Sequence, residues 1–495
     1  MKKFTKLMAL LLALVMMLSL AACAPTSDDD SQNSGDSSDS SSDAAPTAPN
    51  RAILGNTTEL SGDFRYPGWG GSSAGAADQD IARLTVGYGT METNQGGAYV
   101  WSQTAVKDHT ETENEDGTAT YTVTLNEGLT FSDGTPITAA NYLVRAVAFS
   151  TPVAVAAELP GTLGQSLVGY AEFNAYTGEE KEGTSKVFSG VRLIDEHTFS
   201  ITVSSDFYPY YFAYTYAAFD PEPMGLWLPE GVELKDDGEG CYLSDEFYAK
   251  NEAGEYTSAA YISGNRYDTT KYPFSGPYTI TNWDEGTKEC TLTLNPEFKG
   301  NFEGQKPSIE TIVYGKIIEE TQLEQLKTGA LDVLSNITGG DATKAALEVV
   351  DNEKFKEVHY QRAGYGKIEF ECDFGPTSFP EVRQAVAYLL NRVEFCQAFT
   401  GGYGVVVDGP YSPDFDMWQA VKDDIDLIDY SYSPDNAKKV LEDGGWIYNS
   451  KGEPYVEGAT GVDAVRYKKL TEEEANAKDI YGNDAGNKTY ASVAN

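Results

Sequence analysis

The residues in this chain best able to do chemistry are few and scattered. Gly71-Ser72-Ser73-Ala74-Gly75 matches the G-x-S-x-G pattern, in which a serine nucleophile sits on a sharp strand-to-helix turn. That turn needs an apolar strand in front of it. Here Tyr66-Pro67-Gly68-Trp69-Gly70 supplies loop residues, so the stretch reads as a glycine-rich loop, and a secreted serine hydrolase would rest on Ser73 alone. Histidine occurs three times, as His109, His197 and His359, too far apart in sequence to suggest a histidine-built metal or catalytic site. Asp414, Asp416, Asp423, Asp424, Asp426 and Asp429 form an acidic run without the spacing or central glycine of an EF-hand, and read as a solvated loop. H-E-x-x-H, the Walker lysine loop, C-x-x-C and a G-x-G-x-x-G between strand and helix do not occur. The sequence therefore assigns no catalytic residue, no metal ligand and no cofactor, and points away from an enzyme.

The first fifty residues carry a different message. Lys2, Lys3 and Lys6 precede an apolar run from Leu7 to Leu20, then small residues and Cys23. This is the layout of a secretory signal peptide over residues 1–22, with an apolar run too short to span a bilayer comfortably. Leu20-Ala21-Ala22-Cys23 resembles the bacterial lipobox, which implies that Cys23 is diacylated and becomes the mature N-terminus. Residues 24–50 hold eight serines, six aspartates, three prolines and no basic residue, so they can bury almost nothing and read as a solvated tether. A tether behind a lipidated cysteine places the body at the extracytoplasmic face of the cell membrane, either in a periplasm or outside a single-membrane cell. The serine-rich tether favours the second.

Composition limits what that body can bind. With 36 basic against 76 acidic residues the formal charge is −40, and loss of the signal peptide leaves 33 against 76, or −43. Such a charge repels phosphate backbones and excludes a nucleic-acid partner. The 495 residues suit two or three domains, and 41% hydrophobic with 12% aromatic residues is enough for large cores. Cys241, Cys290, Cys372 and Cys396 allow three disulfide pairings after export, and free buried thiols fit equally well.

The elements that would position any site alternate between strand and helix. Tyr121, Val123 and Leu125 share one strand face; Phe199, Ile201 and Val203 share another; Cys290, Leu292 and Leu294 a third. Asn114-Glu115-Asp116-Gly117 predicts a hairpin turn before the first of these. Thr138 can cap a helix that sets Leu143, Ala146, Val147 and Ser150 on one side. Leu323, Leu326 and Ala330 predict a second helix ending near Gly329. Pro380 opens a third, with Val382, Ala385, Val386, Leu389 and Leu390 at helical spacing, and Ser433-Pro434 opens a fourth that stops at Gly444-Gly445. The pattern is α/β with more than one lobe.

Four segments, in order and spacing, resemble the extracellular solute-binding proteins, family 5: the peptide, oligopeptide and nickel receptors of ABC importers. They are Tyr121–Leu125 running on through Ser132-Asp133-Gly134-Thr135-Pro136 to Ala139; Ser275-Gly276-Pro277-Tyr278 with Trp283, Gly286 and Leu292 to Pro296; Leu326 to Val333; and Val382 to Val386 with Ser433 to Leu441. The resemblance covers about residues 85 to 450. It implies a bilobal, type II periplasmic-binding-protein (Venus-flytrap) fold, with lobe I over residues 51–312, an extra subdomain inserted at about 90–200, and lobe II over 313–495. It also implies a monomeric receptor that captures a peptide in its cleft by hinge closure and delivers it to an ABC permease. Family members continue for well over a hundred residues past the Gly-Trp that corresponds to Gly445-Trp446, against 49 here, so lobe II is expected to be incomplete and the acid that pairs with a peptide's amino group has no matching position. Candidate ligand contacts are Tyr66, Trp69, Gly70 and Gly71 in lobe I and Tyr365 and Tyr403 in lobe II, from aromatic and glycine-rich loops whose flat faces accept varied side chains. The alternatives are the same fold holding a nickel complex or haem, and a surface adhesion or interaction lipoprotein.

Overall fold

The computed structural model describes residues 50–65, 75–94, 98–159, 164–210, 213–252, 257–337, 339–350, 355–358, 365–409, 411–413, 415–479, 482–483 and 490–494. Cys23, the expected signal peptide and the expected tether as far as Pro49 lie outside these residues. The described strands are β1 Arg51–Asn56, β2 Met91–Thr93, β3 Tyr99–Trp101, β4 Val106–Glu113, β5 Ala119–Leu125, β6 Val191–Leu193, β7 Thr198–Val203, β8 Leu234–Asp236, β9 Cys241–Leu243, β10 Tyr278–Asp284, β11 Glu289–Leu294, β12 Thr311–Lys316, β13 Val333–Leu334, β14 Val465–Lys469 and β15 Tyr490–Ala494. The helices used below are α1 Ala76–Thr85, α2 Ala139–Phe149, α3 Gly340–Val350, α4 Pro380–Leu389, α5 Arg392–Thr400 and α6 Pro434–Asp443. No described helix is long and apolar enough to cross a membrane.

Five strands form the first sheet in the order β10-β11-β12-β1-β13. β1 runs parallel to both its neighbours, pairing Ile53 with Val313 and Leu54 with Val333, while β10, β11 and β12 are antiparallel. Val313, where the second lobe is expected to begin, therefore lies inside this sheet between Ile53 and Thr291, and the sheet continues to Leu334. Cys290 and Leu292 point into a core shared with Ile312, Tyr314, and Ala77 and Ile81 of α1. Gly276 is fixed by a close approach. Its amide donates to Thr85 O (2.9 Å), and a Cβ there would sit 2.4 Å from the Thr85 carbonyl carbon. Asn295 then closes the strand pair, its Nδ2 donating to Gly276 O and its amide to Pro277 O, each at 2.8 Å.

The second sheet, β4-β5-β7-β6, is antiparallel throughout and carries the larger core. Burial alternates strictly along β5, as its period-two pattern predicts. The hairpin between β4 and β5 turns at Gly117, whose φ of +84° suits a residue without a Cβ, and whose amide donates to Asn114 O at 3.0 Å. Ser132-Asp133-Gly134-Thr135 is a tight turn held by Asp133 Oδ1, which accepts from the Thr135 amide and hydroxyl at 3.0 and 2.7 Å. Thr138 caps α2, and Asn141 Oδ1 reaches back to the Thr138 amide at 2.9 Å. The one-sided stripe expected for α2 is widened. Tyr142, Val144 and Phe149 are also buried, because the helix is enclosed by the sheet and by the short helix Met224–Trp227.

The remaining described elements are mostly helical. Pro380 stands at the start of α4, and α4 packs on α6, where Ser433 Oγ accepts from the Asn436 amide at 3.2 Å. Val382 and Ala385 are buried as their spacing predicts, while Leu389 remains half exposed. Phe379, Val382 and Trp446 form a small core, and Trp446 is fully buried. β14 and β15 pair as an antiparallel ribbon.

Candidate functional site

The three parallel strands β12, β1 and β13 end side by side at Lys316, Asn56 and Leu334, and in open α/β sheets ligands bind in the crevice beyond such strand ends. The polar groups there are tied into one network. Buried Asn56 donates from Nδ2 to Tyr314 Oη (2.8 Å), and Tyr314 donates to Asp80 Oδ2 (2.8 Å) at the middle of α1. Asn56 Oδ1 accepts from the Thr58 amide at 2.8 Å, while the Ile317 and Ser335 amides donate to Asn56 O and Gly55 O, each at 2.9 Å. Burial, reinforced by the Asp80 carboxylate, pushes the Tyr314 hydroxyl well above the ordinary phenol range, so it stays a neutral donor. At the rim Lys316 bonds Glu59 at 2.5 Å. What these ends offer chemically is hydrogen bonding from preset groups.

Tyr66, Trp69, Gly70 and Gly71, together with Ser73, lie outside the described residues. The chain on both sides of them is described and firmly held. Ser61 bonds Asp78 of α1 through its amide (2.9 Å) and hydroxyl (3.0 Å). Asp63 pairs with Arg266 at 2.9 Å, and Phe64 meets the Trp283 ring edge-on at 5.0 Å. Arg65 donates to three backbone carbonyls, Asp268 O (2.9 Å), Pro273 O (3.0 Å) and Tyr272 O, with its guanidinium 3.6 Å from the Phe274 ring centroid. Burial lowers its pKa to about 10, which leaves it charged at neutral pH. On the far side Gly75 begins α1.

Arg65 also lines a pocket of about 20 Å³ with Glu222, Trp227, Asn265 and Arg266, room for a single water. Glu222 is buried there, accepting from Arg145 (3.2 Å) and from Trp227 Nε1 (2.6 Å). Burial raises its pKa, and Arg145 and the Trp227 bond oppose that rise. Sequence reasoning missed this cluster, because single charged residues in loops carry no periodic signal. Asn56 had one: a polar residue that follows the apolar Ala52-Ile53-Leu54 across a single glycine, Gly55.

Tyr365 and Tyr403 fall on loops of the 365–411 region and are 47% and 42% exposed. Tyr403 follows α5, its amide donating to Thr400 O at 3.3 Å, and partial burial together with nearby Glu357 raises its hydroxyl pKa. In the acidic run, Asp416 starts the helix Asp416–Val421 and Asp429 accepts from Ser431. Among the described residues no three His, Cys, Asp or Glu side chains are grouped to hold a metal. Cys241, Cys290, Cys372 and Cys396 are all free thiols, so none of the three pairings is formed.

The profile of the bacterial extracellular solute-binding proteins, family 5 (middle), matches residues 104–481. The oligopeptide-binding protein AppA of Bacillus subtilis (strain 168) is 28% identical over 191 residues, which are 37% of this chain and 32% of AppA, so the match spans about a third of that relative's length. Among solved structures, lactococcal OppA complexed with an endogenous peptide in the closed conformation superposes with a TM-score of 0.52 at 18% identity, over 82% of this chain and 70% of OppA. The periplasmic EDTA-binding protein EppA gives 0.54 at 14% identity over 83% and 68%. NikZ from Campylobacter jejuni in complex with Ni(L-His) gives 0.51 at 16% over 83% and 66%. At these identities the structures speak for a shared fold.

Proposed function

The chain belongs to the bacterial extracellular solute-binding proteins, family 5, and on that premise we propose that it is a non-enzymatic, extracytoplasmic receptor that captures peptides and delivers them to an ABC permease. The observation that carries this reading is the family match over residues 104–481, with an oligopeptide-binding protein among its relatives. The α/β fold shared with the bilobal binding proteins supports it. A peptide held as an added strand is recognised mainly through its backbone, so side chains of many kinds are tolerated. The hydrogen-bonding groups at the ends of β1, β12 and β13, together with Tyr66, Trp69, Gly70, Gly71, Tyr365 and Tyr403, are the contacts we assign to it.

Within this reading residues 1–22 are the signal peptide, Cys23 carries the lipid, residues 24–50 are the tether, and the protein works as a monomer. We take lobe I to run from residue 51 with the subdomain of the second sheet inserted, and we set its border after Leu334, a division supported by the sheet order in which β12 and β13 flank β1.

Native mass spectrometry of the gently purified protein tests the proposal. Masses of roughly peptide size riding on the monomer are the expected result. A protein that is folded by circular dichroism yet carries no ligand and takes up none from a peptide mixture would remove the reading. A metal chelate or haem mass in place of peptides would redirect it to the other ligand class. Globomycin-sensitive processing at Cys23 tests the anchor separately: a precursor that matures normally without a lipid adduct would exclude it.

A further inference from the structure

Away from the strand ends, one surface gathers aromatic rings and carboxylates around an open sheet edge. Among the described residues β4 pairs with β5 alone, and no described strand lies along its other side. The register sets His109 opposite Val123, Glu111 opposite Tyr121 and Glu113 opposite Ala119, which puts all three on the face that β5 turns to the core. β4 overhangs the edge of that core, and the three side chains are exposed.

Rings stand around them. The Trp101 ring lies 4.1 Å from His109, centroid to centroid, and Tyr214 lies 6.0 Å from Trp101 and 6.4 Å from Tyr121. Tyr121 donates its hydroxyl to Glu111 at 3.0 Å and Tyr208 donates to Glu113 at 2.7 Å. Each carboxylate has about four acceptor positions, so these bonds orient the glutamates and leave most of their capacity open. Among the described residues no lysine or arginine forms an ion pair with Glu111 or Glu113.

A charged edge strand by itself guards against sheet-to-sheet aggregation. That role does not require the rings. Phe207, Tyr210 and Tyr214 are 38%, 50% and 39% exposed beside this edge. Carboxylates accept guanidinium forks, and ring faces attract cations, so the surface suits a cationic partner. The spacing narrows the choice further. Glu111 and Glu113 are two residues apart on a strand, about 7 Å, and an extended segment added along β4 would present alternate side chains at the same interval.

We propose that the edge of β4, with Glu111, Glu113, Trp101, Tyr208 and Tyr214, docks an extended polypeptide segment of a partner protein that carries arginine or lysine at alternate positions. This proposal does not rest on the peptide cleft assigned above, and its test reads differently.

The probe is a hexapeptide alternating arginine and threonine, labelled with a fluorophore and titrated against the full chain. Glu111→Gln with Glu113→Gln should weaken binding at least tenfold, since glutamine still accepts the tyrosine hydroxyls but carries no charge. Asp423→Asn with Asp424→Asn removes the same charge from an exposed stretch and should change binding less than twofold. Trp101→Leu, which keeps an apolar side chain, should cost roughly fivefold through loss of the ring face. Equal weakening by both double variants would reduce the effect to general attraction by an acidic protein and overturn the proposal. Unchanged affinity in Glu111→Gln with Glu113→Gln would place the peptide elsewhere, the ligand cleft included, and overturn it as well.

Discussion

α2 and α5 both carry large apolar side chains, and these meet opposite fates. In α2, Leu143, Val144 and Val147 are completely buried and Phe149 nearly so. In α5, Phe395 and Phe399 are 63% and 64% exposed, their rings stacked on each other at 6.1 Å. The contrast extends to the regions that contain them. The second sheet and its helices enclose one large core, with a second behind the first sheet, whereas the described residues after 355 form a core of only Phe379, Val382 and Trp446. Polar ties surround that small core. Lys468 bonds Glu381 and Glu474, each at 2.8 Å, and Arg466 donates to Trp446 O at 3.1 Å with its guanidinium over the Tyr455 ring. An apolar stripe states what a helix can bury; whether it is buried depends on what the rest of the structure sets against it.

The largest effect should appear in thiol chemistry, since each region carries its own reporters. Cys241 and Cys290 are fully buried, and burial pushes both thiols up to about 12, Cys241 with help from Asp236 and Cys290 from Glu289. The thiolate is the reacting species, so both should be labelled by a disulfide reagent only on opening of their core. Cys372 is exposed and should react within the mixing time, with partly buried Cys396 next. If opening follows the stability of an ordinary domain, roughly 5–15 kcal/mol, the rates differ by at least a thousandfold. Cys241 reacting as fast as Cys372 would break the comparison.

Core truncation should show a smaller difference in the same direction. Phe199→Ala removes a fully buried ring and should cost about 3–5 kcal/mol in urea unfolding. Phe399→Ala removes a mostly exposed one and should cost less than about 0.5 kcal/mol. Similar costs would mean that α5 is covered in solution.

These contrasts also mark where the sequence could be read. The apolar faces of β5, β7 and β11, the Gly117 turn, the Thr138 cap and the starts of α4 and α6 were legible, because each is set by neighbours in sequence. The return of β12 and β13 to flank β1 was not, and the expected lobe border at Val313 fell inside that sheet: strand pairing across more than 250 residues leaves no local trace. The exposure of Leu389 and Phe399 was illegible for the same reason. Of the site, the strand-end position of Asn56 could have been inferred, whereas the Arg65 clamp and the Tyr314–Asp80 bond exist only through tertiary contact.

If charge carries more of the stability after residue 355, removing it should discriminate further. Lys468 is only 15% exposed and its partner Glu381 equally so. Lys468→Met leaves that carboxylate without its cation and should cost about 1–3 kcal/mol, with faster proteolysis confined to this region. A loss below about 0.5 kcal/mol would show that the Phe379–Trp446 core suffices on its own.

The smallest effect, and the one that puts both regions on a common scale, is acid sensitivity. Partial burial by itself would raise the Asp236 pKa, but Arg192 Nε and Nη2 at 2.9 and 3.1 Å, with the Gly238 and Leu193 amides, outweigh it and hold the carboxyl below its ordinary value. Glu474 is likewise lowered, the Lys468 and Thr471 bonds exceeding the opposing effect of burial. A carboxyl depressed in the folded state contributes stability that is complete above its unfolded pKa, about 4, and disappears as pH falls through the folded value. Asp236→Asn and Glu474→Gln should therefore each be less stable than the parent at pH 7, and each deficit should narrow as urea midpoints are followed from pH 5 to pH 2. Proteolysis under the same conditions assigns the narrowing to one region or the other. A deficit that stayed constant down to pH 2 would mean that shape and hydrogen bonding, not charge, tie that carboxyl in, and for Glu474 it would remove the electrostatic side of the contrast between the two regions.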